Sequence, residues 1–178
     1  MVKNESKLIL FFIFILFFKS VPLFAQKSWE KIYADEKTIV FELPQKVDSF
    51  TLANQVCYTY ALHDEANIFF SVSIEEVPPN ILSMDSLFSY MIVKYMNRLT
   101  YDGWKLLYML DVKYQDSLFA KDITIEETSN KKATEIYINR IFCRKSKFYV
   151  LSIQGDIKKA DYVYNTKERF FNSLKFEK

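Results

Sequence analysis

Two runs of alternating apolar residues, separated by a short polar turn, set the strongest limit on what this chain can fold into. Residues 54–62, NQVCYTYAL, carry apolar side chains at every second position, and residues 67–76, NIFFSVSIEE, repeat the pattern after the turn HDEA. A period of two indicates a β-strand, and strands joined by a short turn pair antiparallel, because parallel pairs need a crossover of a dozen or more residues. The chain is therefore expected to contain an antiparallel sheet.

Further strand patterns occur along the rest of the chain. Residues 38–44, TIVFELP, read as a short strand that ends at Pro44, since proline cannot donate to a strand ladder. Four more strands, joined by short polar turns, are predicted at residues 105–114, 117–127, 132–143 and 147–154. We therefore predict a mainly antiparallel sheet of about six to seven strands.

Two longer segments have the period of an amphipathic helix. The first begins after Ser83, a favourable helix N-cap, and ends at Gly103, a favourable C-terminal stop. The second follows Gly155 and places apolar residues at steps of three and four up to the terminus, with charged residues mostly opposite. The predicted class is α+β, with the sheet flanked by two main helices.

The N-terminus has the layout of a secretory signal peptide. Lys3 and Lys7 precede an uninterrupted apolar run at residues 8–18, and Ala25 stands before the polar Gln26. The run is shorter than the roughly 20 apolar residues that a spanning helix needs. We expect cleavage after Ala25 and a secreted or periplasmic protein without a stable membrane span; retention of the segment as an anchor is the alternative.

Removal of this segment changes the charge balance of the chain. Three of the 24 basic residues and one of the 22 acidic residues lie in it, so the remainder has no net charge. Binding to a phosphate backbone requires a basic surface, and nucleic acid is therefore not an expected partner. The expected organisation is a signal peptide at 1–25, a charged lead-in at 26–37 and a single domain at 38–178.

The sequence offers few residues for catalysis or metal binding. His63 is the only histidine, whereas tight zinc sites use four nitrogen or sulfur ligands. Gly103 and Gly155 are the only glycines, which excludes a phosphate-binding loop and a dinucleotide fingerprint. We predict no catalytic residues, no metal site and no cofactor, and hence no enzyme. A small secreted hydrolase that uses paired carboxylates is the alternative.

Two pairs of residues remain as candidate sites. Cys57 and Cys143 form either one disulfide, as an oxidising envelope permits, or two buried free thiols. Trp29 and Trp104 stand at the edges of predicted elements, where a ring is partly exposed and can contact a partner. The alternative for each tryptophan is that it caps the core.

The order of elements resembles a known family. Together with FELP at residues 41–44 and RFFNSLKF at residues 169–176, it is similar to the PsbP-like fold family. That family includes the lumenal extrinsic protein of photosystem II, a yeast protein that binds the Ran GTPase, and many secreted bacterial proteins. The resemblance implies an α/β/α sandwich and a binding or scaffolding role. We expect a non-enzymatic binding or accessory protein of the bacterial cell envelope, with a protein or an envelope component as its partner.

Overall fold

The computed structural model describes residues 29–44, 57–63, 67–76, 84–99, 104–115, 118–129 and 132–177. The strands are β1 (Glu30–Ala34), β2 (Ile39–Leu43), β3 (Cys57–His63), β4 (Phe69–Glu76), β5 (Trp104–Tyr114), β6 (Leu118–Ser129), β7 (Lys132–Arg144), β8 (Lys147–Asp156) and β9 (Lys175–Phe176). The helices are α1 (Met84–Leu99) and α2 (Ala160–Ser173), and a single 3-10 turn (Ile157–Lys159) precedes α2. The predicted α+β class with two helices is confirmed.

The described strands form two sheets, both antiparallel. One sheet has three strands in the order β1-β2-β9, and the other has six in the order β3-β4-β8-β7-β6-β5. The expectation of one sheet was therefore wrong, because β2 pairs with β1 and β9 instead of joining the larger sheet. The mainly antiparallel pairing is confirmed.

Strand β1 lies inside the segment that was expected to be a charged lead-in. It turns into β2 through three residues with positive φ, Asp35, Glu36 and Lys37. The backbone N–H of Thr38 and its hydroxyl both donate to the Asp35 carbonyl, at 3.0 Å and 2.7 Å. These two bonds close the turn and set the register in which Ala34 faces Ile39.

Two clusters of buried side chains pack on the six-stranded sheet. Strand β7 contributes Ile138 and Phe142 to the cluster that includes residues of α2, and Ile141 and Cys143 to the cluster that includes residues of α1. Successive residues of a strand point to opposite faces. The two clusters therefore lie on opposite faces of the sheet.

Residues 169–176 close the first of these clusters. Phe170, Phe171 and Leu174 are fully buried, and the Tyr114 hydroxyl donates to the Phe171 carbonyl at 2.5 Å. The expectation that the helix continues to the terminus was wrong, because α2 ends at Ser173 and the next residues pair with β2 as β9. Burial of Leu174 in an extended conformation brings β9 to the small sheet.

Gly155 lies in β8 and not at the start of the last helix. A Cβ atom at this position would lie 2.5 Å from Ile68 Cδ1 and 2.9 Å from Val163 Cγ2. Both distances are shorter than van der Waals contact, so only glycine allows β8 to approach α2 and Ile68, the residue before β4, this closely without a shift.

Several sequence predictions concern residues outside the described part of the chain. They are the signal peptide at residues 1–25, the N-cap at Ser83 and the stop at Gly103. The helix predicted between Ser83 and Gly103 is confirmed as α1. In the described ranges neither helix has the length and apolar character that a bilayer crossing requires.

Candidate partner surface

Strand β5 forms one edge of the six-stranded sheet and exposes a run of large apolar side chains. It pairs with β6 on one side, and no described strand lies on the other. Leu106 and Leu107 are each 39% exposed, Met109 is 42% exposed and Leu110 is 53% exposed, and Phe119 of the adjacent β6 is 52% exposed. We call these five residues the β5 edge surface.

The β5 edge surface includes both faces of the sheet. Met109 lies opposite Ile123, which belongs to the cluster on the α1 side, and Leu110 lies opposite Asp122, on the α2 side. Residues directly opposite in an antiparallel pair share a face. Apolar side chains therefore project above and below the edge, and neither helix covers them completely.

The features that normally protect an edge strand are present only in part. The register shifts between Leu106 and Tyr108, so a bulge lies at the N-terminal half of β5. Lys105, Asp111 and Lys113 place charges toward its ends. Bulges and charges discourage the addition of a further strand. The five residues between Lys105 and Asp111, which include the bulge, nevertheless carry no charge.

Phe119 is held in place although half of it is exposed. Its ring packs edge-on against Phe88 of α1, with the centroids 5.6 Å apart, and Lys121 Nζ lies 5.4 Å from its centroid. The carboxylate of Asp111 binds the same lysine. A restrained aromatic ring loses little conformational entropy when a partner covers it, which suits it to binding.

Trp29, predicted to contact a partner, packs on the core of the α2 side. Its ring lies edge-on to Phe70 at 5.6 Å and tilted to Phe170 at 6.4 Å. The guanidinium carbon of Arg169 lies over the ring, 4.4 Å from its centroid. These contacts pack the Trp29 ring on the core. Trp29 is also distant in sequence from β5.

Trp104, the second predicted residue, is the first residue of β5. Its ring lies 4.1 Å from that of Tyr137 and packs on the cluster of the α1 side, and the ring is half-buried. The structure therefore places Trp104, unlike Trp29, on the same strand as the exposed apolar run.

Beside Trp104, two carboxylates that the sequence patterns did not pair are brought together. Glu127 and Glu135 face each other across β6 and β7, and the Tyr137 hydroxyl lies 3.2 Å and 2.6 Å from their Oε2 atoms. The Gln154 amide donates to the Tyr137 oxygen at 2.7 Å. Burial, and then the two carboxylates, raise the pKa of Tyr137, so its hydroxyl stays protonated and donates.

The carboxylate pair has no cationic partner in the described part of the chain. Among the same residues, no three His, Cys, Asp or Glu side chains are placed to hold a metal ion. Only the strand register places Glu127 opposite Glu135, and spacing in the sequence does not reveal that register.

The two cysteines lie far apart in the sheet. Cys57 pairs with Glu75, Glu75 pairs with Phe148 and Phe148 pairs with Cys143, so three strand spacings, about 14 Å, separate them. A disulfide requires Cα atoms within about 7 Å. The disulfide considered for this pair does not fit the register, and Cys143 is a buried free thiol.

Some predicted residues are described only by their backbone. The side chain of Cys57 lies outside the described part, as does that of His63. His63 was expected inside a turn, but its backbone is the last residue of β3 and pairs with Phe69.

A buried ion pair lies on the α2 side of the sheet. Arg140 donates to both carboxylate oxygens of Asp122, at 2.7 Å and 2.8 Å. Its guanidinium carbon lies 4.8 Å from the Phe171 ring centroid and 5.2 Å from that of Tyr114. Burial lowers the pKa of Arg140, but the hydrogen bonds and charge of Asp122 outweigh this effect and raise it. The pair connects core elements and is largely closed to solvent.

The fold is similar to several solved structures. The match to cyanobacterial PsbP (CyanoP) from Synechocystis sp. has 12% identity and a TM-score of 0.64, and covers 89% of this chain and 96% of that one. The match to PA94, a Pseudomonas aeruginosa protein of unknown function, has 10% identity and a TM-score of 0.51, with 84% and 98% covered. LpqN of Mycobacterium tuberculosis, involved in cell envelope biogenesis, matches at 4% identity and a TM-score of 0.47, with 75% and 91% covered.

Sequence comparison gives no comparable match. The chain matches no protein-family model, and none of the curated proteins is similar to it in sequence. At identities this low, the structural likeness concerns the fold alone. The chain has the PsbP-like fold that its order of elements predicted.

Proposed function

We propose that this chain is a secreted, non-enzymatic binding or accessory protein of the bacterial cell envelope, and that it binds a protein partner through the β5 edge surface. The observation that carries the proposal is the uncharged apolar run on an edge strand, exposed on both faces at Met109 and Leu110. Exposed apolar patches on edge strands are sites of association. The PsbP-like fold, which supports different functions, is compatible with this role.

The finer architecture is part of the same proposal. Phe88 and Ile92 of α1 belong to one buried cluster, and Val163 and Phe170 of α2 belong to the cluster on the other face. We infer an α/β/α sandwich in which the β5 edge protrudes between the two helical layers. Such an edge is accessible to a partner from the side.

Site-specific photo-crosslinking in the native host tests the proposal. A photoreactive residue replaces Leu110, and in a matched control it replaces Tyr33, which is 56% exposed on β1. We expect a discrete protein adduct from position 110 and none of the same mass from position 33. The adduct should disappear when Met109→Lys is added, while thermal unfolding stays unchanged. The same adducts from both positions would contradict the proposal.

A second candidate function rests on the carboxylate pair. Glu127 and Glu135 converge on the Tyr137 hydroxyl beside the ring of Trp104, and paired carboxylates are the groups used in glycoside hydrolysis. Turnover of a glycoside, ester or peptide panel that is abolished by Glu135→Gln but retained in Glu126→Gln would favour a hydrolase. The binding proposal instead expects no turnover by the unmodified chain.

A further inference from the structure

We propose that the partner adds an extended polypeptide segment as a further strand beside β5, and that this segment has a continuous apolar run with an acidic residue near each end. The inference rests on the proposed function, because it names the class of partner that occupies the β5 edge surface.

The backbone of β5 supports the addition of a strand. β5 has 11 residues, about twice the usual length of a strand, and β6 occupies only one of its two sides. An edge strand presents unpaired N–H and C=O groups, and an extended segment can bind them by main-chain hydrogen bonds. The regular part, between the bulge and Tyr114, gives six residues or more for such a ladder.

The apolar character of both faces determines which residues fit at the centre of the partner segment. Met109 projects toward the α1 side and Leu110 toward the α2 side. Residues of an added strand alternate between the same two faces. Beside Tyr108, Met109 and Leu110, each successive residue of the partner then meets an apolar side chain, so a continuous apolar run fits at the centre of the segment, whereas a strand that alternates apolar and polar residues leaves one face unmatched there.

The charges of β5 determine which residues fit near the ends of the partner segment. Asp111 is neutralised by Lys121, whereas Lys105 and Lys113, both exposed, form no ion pair with a described residue. Lys105 lies opposite Glu126 and Lys113 lies opposite Phe119. The two lysines are eight residues apart, about 26 Å if the chain is extended, and the bulge between Leu106 and Tyr108 lies within this span. Acidic residues at about this separation complement them, and basic residues are repelled.

Labelled synthetic peptides test the composition of the segment. The first peptide has ten residues, with a central run of valine, isoleucine and tyrosine and an aspartate at each end; the second has lysines at the ends. By fluorescence anisotropy at low salt, we expect the aspartate peptide to bind about tenfold more tightly. The double variant Lys105→Glu/Lys113→Glu should reverse the preference. Equal binding of the two peptides, or a preference unchanged by the double variant, would overturn the inference.

Backbone methylation tests the ladder itself. N-methylation of alternate residues removes N–H groups from only one edge of an extended peptide. We expect one alternate set of methyl groups to abolish binding of the aspartate peptide and the other set to leave it within about twofold. Equal loss with both sets would show contact without strand addition and would overturn the inference. A dimer seen by sedimentation and abolished by Leu110→Lys would instead identify a second copy of the chain as the occupant.

The experiments distinguish a failure of the proposed function from a failure of the strand-addition inference. An adduct at position 110 combined with peptides that do not bind would retain the proposed function and remove the strand-addition inference. The absence of any adduct at position 110 would remove the proposed function, whatever the peptides do.

Discussion

At the scale of single residues, Arg140 connects three elements of the core. It binds Asp122 of β6 through two hydrogen bonds, lies over the rings of Tyr114 and Phe171, and donates to the Asn172 Oδ1 atom at 3.3 Å. A buried charge without its partner is strongly destabilising. We therefore expect Arg140→Met to lower the free energy of unfolding by about 3–5 kcal/mol, measured by urea denaturation.

The corresponding double variant separates the ion pair from simple packing. Arg140→Met combined with Asp122→Leu removes both charges of the buried pair and fills their place with apolar side chains. We expect the double variant to be more stable than Arg140→Met alone, since apolar replacement of a buried pair is often neutral. If the double variant lost as much unfolding free energy as the two single variants together, this account of the pair would be contradicted.

Cys143 gives a pH-dependent prediction at the same scale. Burial raises the pKa of its thiol from 9.0 to about 12, so the folded protein holds the proton at a pH where the unfolded chain releases it. The stabilising contribution is therefore complete below pH 9 and is lost as the pH rises toward 12. Burial of Tyr149, whose pKa rises to about 12, acts in the same direction.

Thiol labelling measures this effect directly. In a Cys57→Ser background at pH 10, we expect Cys143 of the folded protein to react much more slowly with a disulfide reagent than in denaturant, because the thiolate is the nucleophile. Equal rates with and without denaturant would show that the thiol is accessible and ionised.

At the scale of elements, α2 and the residues after it complete the core. Phe170 and Phe171 are fully buried, whereas Lys167 is half-buried, with its Nζ 3.8 Å from the exposed Glu168 carboxylate. We expect Phe170→Ala or Phe171→Ala to cost about 3–5 kcal/mol of unfolding free energy. Lys167→Ala, on the same helix, should cost less than about 1 kcal/mol.

Truncation gives the outcome that would contradict this role of α2. Removal of residues 169–178 deletes both phenylalanines, Leu174 and β9. A truncated chain that still unfolds cooperatively by circular dichroism would show that these residues are not needed for the core.

The strands that the sequence predicted are those with a regular period of two. β3 and β4, and the meander from β5 to β8, were recognisable because each strand alternates and short polar turns separate them. β1 and β9 were missed. β1 buries only Ala34 completely and β9 has two residues, so their pairing depends on contacts distant in sequence.

The candidate site was less predictable than the fold. Residues 105–114 read as an ordinary strand, and only the order of strands shows that β5 is an edge and that its leucines are exposed. Likewise, the sequence left open whether Trp29 contacts a partner or caps the core, because Phe70 and Phe170, on which it packs, are far along the chain. Strand order and distant packing are tertiary properties, which a local pattern does not contain.

At the scale of the whole molecule, the location of the protein remains a prediction from its N-terminus. We expect secreted material to begin at or near Gln26, because Lys3, Lys7 and a short apolar run precede a small residue at position 25. Intact-mass measurement of protein from the cell envelope checks this. Full-length chain held in the membrane fraction would show that the segment is kept as an anchor.

The order of the strands in the larger sheet has a kinetic consequence. β5 to β8 are joined in sequence by consecutive hairpins, whereas β4 reaches its neighbour β8 across α1 and three intervening strands. Pairing of residues distant in sequence carries a larger loop-closure entropy and forms slowly. We expect the β5–β8 meander to assemble in the folding transition state, with the β3–β4 hairpin docking afterwards.

Stopped-flow measurements on two buried positions distinguish this order of events. Ile138→Val in β7 should mainly slow folding, while Val72→Ala in β4 should mainly accelerate unfolding. If instead Val72→Ala mainly slowed folding and Ile138→Val mainly accelerated unfolding, the folding nucleus would lie at β4. If the meander does form first, β8 presents an unpaired edge until β4 arrives, and this interval is when a nascent chain is most exposed to misassembly.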